Sequence, residues 1–450
     1  MPTLLLKNAD ILVTMDDARR EIAGGGLFAR DGVIEQVGPS AELPREADVT
    51  LDMTGRIVIP GLINTHHHLY QNLTRAVPAA QDAPLFDWLR ALYPIWGRMG
   101  PEHVRASTLV GLAELAETGC TTSADHLYMF PNGARLDDSI EAAGEIGVRF
   151  HPTRGGLSIG ESDGGLPPDA LVEREEAILA DSRRVIEAFH DGRRFSMVRV
   201  GVAPCSPFSV SRGLMRDAAS LARSYGVGLH THLAENAEDV AYSLERFGVR
   251  PGAYAEGLGW CGPDVWHAHC VQLDASEIDL FARTCACVAH CPCSNMRLGS
   301  GVAPVREMLA AGVTVGLGVD GSASNDSGHM LNEARQAMLL QRVAKGGGAL
   351  TARRALEIAT RGGAKTLNRD DIGSLEPGKA ADVAAFDLSD VAFAGAQWDP
   401  VAALVFCGPS KAALTAVQGR VIVEDGVCVS IDRGRALETH GRLARALMNG

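Results

Sequence analysis

Val58-Ile59-Pro60-Gly61-Leu62-Ile63-Asn64-Thr65-His66-His67-His68 is an apolar run that ends in three histidines. Side chains two apart on a strand project to the same side, so His66 and His68 face one point and His67 turns away from it. Strands of this kind suit the mouth of a parallel barrel, where the groups that act on a ligand stand at the C-terminal strand ends. Three later runs end in the same way. Val227-Gly228-Leu229-His230-Thr231-His232-Leu233-Ala234-Glu235 places His232 at its tip and a carboxylate three residues on, with His230 lining the interior beneath it. Val265-Trp266-His267-Ala268-His269-Cys270 closes on His269, and Val313-Thr314-Val315-Gly316-Leu317-Gly318-Val319-Asp320 is almost wholly apolar up to Asp320. A buried strand tipped by a lone carboxylate needs a partner for its charge, and a cation supplies one.

Outward from these runs the texture is regular. Amphipathic helical stretches recur at 104–118, 137–147, 170–190, 211–226, 234–247, 275–284, 305–311 and 328–343. Strands alternating with helices of that length imply βαβ units and a parallel sheet. About eight repeats favour closure into a (β/α)8 TIM barrel, an α/β fold expected over 58–370. The two ends read differently. Short strand-like runs at 3–7, 10–14, 26–30, 33–37 and 57–59 reappear in kind at 381–386, 413–418 and 420–424, punctuated by Gly and Asp. They predict one small β-sandwich assembled from both termini, 1–57 and 371–450, the latter with a terminal helix.

The net charge is −13, with acidic residues dispersed along the 450-residue chain. A nucleic-acid-binding surface would need a basic stripe, so none is expected. No stretch reaches the roughly 18 uninterrupted apolar residues of a membrane span, and residues 1–16 lack the basic head and apolar core of a secretory signal. The ten cysteines are scattered without a disulfide framework, which predicts a reducing, cytoplasmic setting. Cys285, Cys287, Cys291 and Cys293 form two C-x-C pairs; zinc fingers use a wider spacing, so packing is the expected role. The partners expected are a small-molecule substrate and further copies of the chain in a homo-oligomer.

Four residues from separate strand ends, His66, His68, His232 and Asp320, make a metal-ligand set. Three neutral nitrogens and a carboxylate suit Zn2+, and Fe2+ or Mn2+ also accept such a site. A two-metal version would need a bridging ligand at the barrel mouth, commonly a carbamylated lysine. None of the five lysines lies between Lys7 and Lys345, so one metal is expected. Water on such a metal has its pKa lowered to about 7. Asp320, beside it, is placed to take the water proton and pass it to a leaving group, and Glu235, three residues after His232, to act as a general acid.

At these residues the sequence resembles the amidohydrolase superfamily. The likeness rests on the His-x-His after Pro60-Gly61-Leu62-Ile63-Asn64-Thr65, the His232-Leu233-Ala234-Glu235, Ala268-His269-Cys270 and Val319-Asp320 strand ends, and Gly373-Ser374-Leu375-Glu376-Pro377-Gly378-Lys379-Ala380-Ala381-Asp382. Within it, His68-Leu69-Tyr70-Gln71, Cys291-Pro292-Cys293-Ser294-Asn295-Met296-Arg297-Leu298 and Asp320-Gly321-Ser322-Ala323-Ser324-Asn325 resemble the one-metal branch of aromatic-heterocycle deaminases and triazine hydrolases. The resemblance implies hydrolytic deamination of a purine-like ring, 8-oxoguanine first. Guanine, isoxanthopterin or another pterin, and amino- or chlorotriazines are the alternatives. A non-catalytic scaffold is disfavoured because no ligand is lost. His269 matches the position that contacts the attacking water or a substrate oxygen. Cys205 stands where relatives put a substrate contact. Gln71, three residues after His68, can pair with a lactam edge, and Arg154 can bind a ring oxygen. Asp87, Trp88, Tyr93 and Trp96 lie in a long insertion expected to cover the pocket, with Trp88 stacking on the ring; ordinary lid or dimer packing is the competing role.

Overall fold

The computed structural model describes residues 2–408 and 410–449. The run from Val58 to His68 is divided between two strands. Arg56–Pro60 belongs to a sheet made by the termini, and Leu62–Asn64 is the first strand of the barrel. Gly61 is the crossing point. A Cβ there would stand 2.1 Å from the Thr121 hydroxyl and 2.2 Å from its methyl, so only glycine lets the chain pass between the two sheets at this spot. The barrel therefore begins at Leu62 rather than at 58, and Val58 packs in the core of the outer sheet.

The eight barrel strands are Leu62–Asn64, Cys120–Leu127, Arg149–Gly156, Gly201–Pro204, Leu229–Leu233, Val265–His269, Cys287–His290 and Val315–Leu317. They pair in that order, all parallel, and the last closes on the first through Leu317 and Asn64. Register decides which side chains enter the barrel, because residues paired across a ladder share a face. His126 pairs with Thr153 and points inward, whereas Leu127 pairs with Arg154, and Arg154 with Val202, on the face packed against the helices.

Most helices fall where the periodicity places them, among them Pro101–Glu117, Leu136–Ile146, Ala275–Thr284 and Val305–Ala311. The stretch expected from 170 starts as a helix only at Glu175, because Pro167 and Pro168 lead into a single turn at Asp169–Leu171. The insertion after the first strand folds into a helix, Leu85–Trp96, that lies over the barrel mouth.

The termini form one continuous nine-stranded sheet. Thr3–Val13 is flanked by Glu21–Arg30 on one side and Arg56–Pro60 on the other, and Arg56–Pro60 pairs with Val383–Asp387 from the far end of the chain. Val33 bridges to Ala380, and apolar residues of both halves, including Leu6, Leu27, Val58 and Val383, pack together. The two runs read at 3–7 and 10–14 are one strand with a register shift between Leu6 and Ala9; Asn8, at φ 62°, is the irregularity that separates them in sequence.

Candidate active site

His66, His68, His232, His269 and Asp320 meet at the barrel mouth, buried from solvent. Strand ends with unusual backbone aim two of them: His269 has φ 69° and Asp320 φ 62°. Such conformations cost non-glycine residues about 1–3 kcal/mol each and persist only where their surroundings enforce them.

Hydrogen-bond partners assign the imidazole tautomers. His68 Nδ1 lies 2.7 Å from the His126 carbonyl and His232 Nδ1 2.6 Å from the Cys205 carbonyl, so both Nδ1 atoms carry the proton. His230 Nδ1 donates to the Trp266 carbonyl at 2.8 Å; its Nε2 is left to accept from His66 Nδ1 at 2.7 Å. Each of His66, His68 and His232 therefore presents a bare Nε2 lone pair to the same point. His68 Nε2 stands 3.0 Å from His232 Nε2 and 3.3 Å from Asp320 Oδ1, and His66 Nε2 is 3.2 Å from that same oxygen. Three lone pairs and a carboxylate at these separations repel one another unless a cation lies among them. This donor set fits one divalent metal. Burial keeps the imidazoles neutral, as ligation requires: it pushes His66 well below the ordinary histidine range, lowers His68, and brings His232 to about 3.

Asp320 is fixed by its own loop. Oδ1 accepts from the Gly321 amide at 2.7 Å, and Oδ2 accepts from the Ser294 and Ser324 hydroxyls at 2.5 and 3.1 Å. Glu235 lies on the other side of the cluster. Burial raises its carboxyl to about 7; His269 opposes the rise, and Asp320 and Asp239 add to it. It is no helix cap, because Asn236 caps Ala237–Phe247 through Asp239 N. His269 Nε2 sits 3.6 Å from Glu235 Oε2 and 3.9 Å from Asp320 Oδ2, while its Nδ1 donates to Asn295 Oδ1 at 2.8 Å. Burial opposes a charge on His269, but Glu235, Asp320 and Asn295 hold its pKa above the ordinary value.

Above the cluster lies a narrow cleft of about 40 Å³. Leu85, Trp88, Leu89 and Tyr93 of the lid helix form one wall, and Tyr128, Phe208 and Leu298 face them. The Trp88 indole N–H donates to the Ala323 carbonyl at 3.0 Å, latching the lid to the Asp320 loop. Trp96 packs behind the pocket and donates to Thr74, and Asp87 is exposed and paired with Arg90. Gln71 lines the cleft with its amide held only by long contacts, 3.4 Å to Tyr70 and 3.4 Å to Ala323 N. A Cβ at Gly321 would stand 1.8 Å from the Gln71 amide oxygen, so the bare glycine beside Asp320 gives the Gln71 amide the room it occupies. Cys205 also lines the cleft, with Sγ 4.0 Å from His232 Nδ1.

Arg154 is a correction. Its guanidinium faces outward and is consumed by Asp181 at 2.9 Å and Glu173 at 2.8 and 2.9 Å, with Phe130 beneath it. It holds the loop before the helix Glu175–Phe189 and does not line the cleft. His67 is buried with both ring nitrogens unpartnered among the described residues, and His230 lies beneath His66 and His232 as expected. The four cysteines at 285–293 join no metal cluster among the described residues.

Two residues at the site escaped sequence reasoning. His126, tipping the second barrel strand, stacks on His232 at 4.9 Å, and its carbonyl orients His68. Tyr128 meets His68 edge-on at 5.1 Å. The signal for His126 was available, since Cys120-Thr121-Thr122-Ser123-Ala124-Asp125-His126 is another strand run ending in histidine.

Comparison with known proteins agrees with this geometry. The amidohydrolase family model matches residues 57–428. An 8-oxoguanine deaminase of Pseudomonas aeruginosa is 45% identical over 431 residues, covering 95% of this chain and 96% of that one. An isoxanthopterin deaminase from an unknown prokaryotic organism is 38% identical, covering 94% and 93%. The crystal structure of atrazine chlorohydrolase from Arthrobacter aurescens TC1, complexed with zinc, superposes with a TM-score of 0.93 at 35% identity, over 98% of this chain and 100% of the other. With its barrel, its outer sheet and its histidine–aspartate cluster, the chain belongs to the amidohydrolase family of hydrolases.

Proposed function

We propose that this protein is a one-metal aminohydrolase that converts 8-oxoguanine to urate and ammonia. The observation that carries the proposal is the pairing of a cation-shaped set of lone pairs with a carboxylic acid whose pKa is raised to about 7 beside it. His66, His68, His232 and Asp320 would hold the metal; Zn2+ is favoured by the donor set and by the zinc-bound relative. A divalent cation in that position would supply a water whose pKa is lowered to about 7.

The remaining work falls to side chains. Glu235 gives its proton to the ring nitrogen next to the amine-bearing carbon, relieving the negative charge that attack builds there. Asp320 Oδ2 takes the water proton and returns it to the departing amine. His269, its Nδ1 fixed by Asn295, presents Nε2 to the oxygen that adds to the ring. The apolar walls with Trp88 bind the ring faces, and the loosely held Gln71 amide exchanges its long contacts for a lactam edge. Cys205 borders the ring on the side of His232. The substrate assignment rests on the 45% identity to an 8-oxoguanine deaminase. The ten cysteines are free thiols, which suits a cytoplasmic enzyme.

The test is ammonia release from 8-oxoguanine, guanine, isoxanthopterin, cytosine and aminotriazines, with metal content measured on the same sample. Metal-loaded protein should act on 8-oxoguanine with the highest kcat/KM. Preference for another ring would move the substrate assignment, and no release from any ring by loaded protein would end the deaminase reading.

A further inference from the structure

A second cavity, of about 220 Å³, lies at the opposite end of the barrel from the lid. Trp266 forms its inner wall and stacks on His230 at 4.7 Å and 19°, so this cavity and the active-site cleft share no lining residue. Bare glycine backbone makes room for the indole: a Cβ at Gly228 would stand 2.6 Å from it.

Three donors reach this cavity from separate chain segments. His151, on the strand Arg149–Gly156, is only 4% exposed. Its Nε2 faces Arg369 at 3.3 Å; arginine can only donate, so the ring proton is on Nδ1, which has no acceptor among the described residues. His190, following the helix Glu175–Phe189, accepts from Val200 N through Nδ1 at 3.1 Å, leaving an Nε2–H with no acceptor among the described residues. Arg199 bonds only to uncharged oxygens: Ser196 at 3.2 Å, Asn368 at 3.1 Å, Gly192 at 3.4 Å and Arg193 at 3.2 Å. The carboxylates nearby are each taken by another arginine. Asp371 pairs with Arg369, Asp264 with Arg223, Asp191 with Arg193 and Asp370 with Arg194. Among the described residues Arg199 is thus a half-buried positive charge without an ionic partner, beside two imidazole N–H groups.

We propose that the barrel floor is a binding site for a compact oxyanion of the phosphate class, held by Arg199, His151 and His190. A cavity offering donors and one uncompensated positive charge selects an anion, and donors on three walls suit a tetrahedral one.

Isothermal titration of metal-loaded protein with inorganic phosphate, against chloride at equal ionic strength, tests this. Saturable binding is expected, weakened about tenfold in Arg199→Met, the loss of one charge-assisted contact. The rim variant His190→Leu should weaken it severalfold and serves if Arg199→Met melts early. Phosphate bound at the active-site metal would compete with substrate and keep its affinity in both variants. No saturable heat beyond the chloride control, or equal affinity in wild type and both variants, overturns the proposal.

Discussion

At the scale of single residues, the chemistry turns on which atoms carry protons. Glu235 must be protonated to act as an acid, so kcat falls as pH rises through its pKa. With the carboxyl raised to about 7, the alkaline limb belongs near neutrality, and a cation beside it favours the carboxylate and draws the limb lower. Glu235→Gln should lose that limb and about 10²–10⁴-fold in kcat while retaining metal. Metal analysis with a pH–rate profile checks both halves, and near-normal turnover would remove Glu235 from the mechanism. His230, buried beneath the cluster, sets a second proton position. It forces the proton onto His66 Nδ1, so His230→Leu frees His66 to rotate or change tautomer and should weaken metal binding about 10–100-fold, read by chelator competition. The meeting of His66, His68, His232 and Asp320 was legible in the sequence because each ends an apolar run. Their tautomers were not, since those depend on carbonyls contributed by other strands, such as Cys205 for His232 and Trp266 for His230.

At the scale of elements, strand parity separates residues that reach the cleft from those that cannot. Arg154 is one position past the inward Thr153, and that single step sends it to the helices. Proximity in sequence to a strand end suggested substrate binding, but the register needed to exclude it appears only once neighbouring strands pair. Arg154→Met should therefore lower thermal stability by about 1–3 kcal/mol, leaving Glu173 without its partner and Asp181 with Arg184 alone, with KM nearly unchanged. A change in KM without a change in melting would restore the substrate role. The lid helix Leu85–Trp96 makes the opposite prediction. Trp88→Phe keeps the aromatic wall but removes the latch to Ala323, worth about 1 kcal/mol, and should raise KM about fivefold with little change in melting temperature. This helix was hard to recognise in sequence because Pro94 lies inside it.

At the scale of the whole molecule, barrel and outer sheet are tied together beneath the site. Arg149, fully buried on the third barrel strand, donates to both oxygens of Asp382, at 2.6 and 3.1 Å, where the chain enters Val383–Asp387. Asp382 also accepts from Gln418 N at 2.7 Å. Arg149→Met leaves that carboxylate buried without its partner and should destabilise the protein by about 3–5 kcal/mol. Melting followed by circular dichroism reads the loss. The split origin of the outer sheet was plain in the texture of the two ends. Its continuity was not, because the pairing of Arg56–Pro60 with Val383–Asp387 links segments with no local signal for each other.

That pairing has a consequence for synthesis on the ribosome. Arg56–Pro60 emerges early, with Thr3–Val13 along one side, but the strand that covers its other side is made about 320 residues later. At roughly 5–20 residues per second the delay is about 16–64 seconds. Through that interval a strand of Ile57, Val58 and Ile59 keeps an open hydrogen-bonding edge, directly upstream of the histidines it positions. The nascent chain thus carries an unpaired apolar edge for most of its manufacture, and slowing or truncating translation before residue 383 should favour aggregation over a soluble partial barrel.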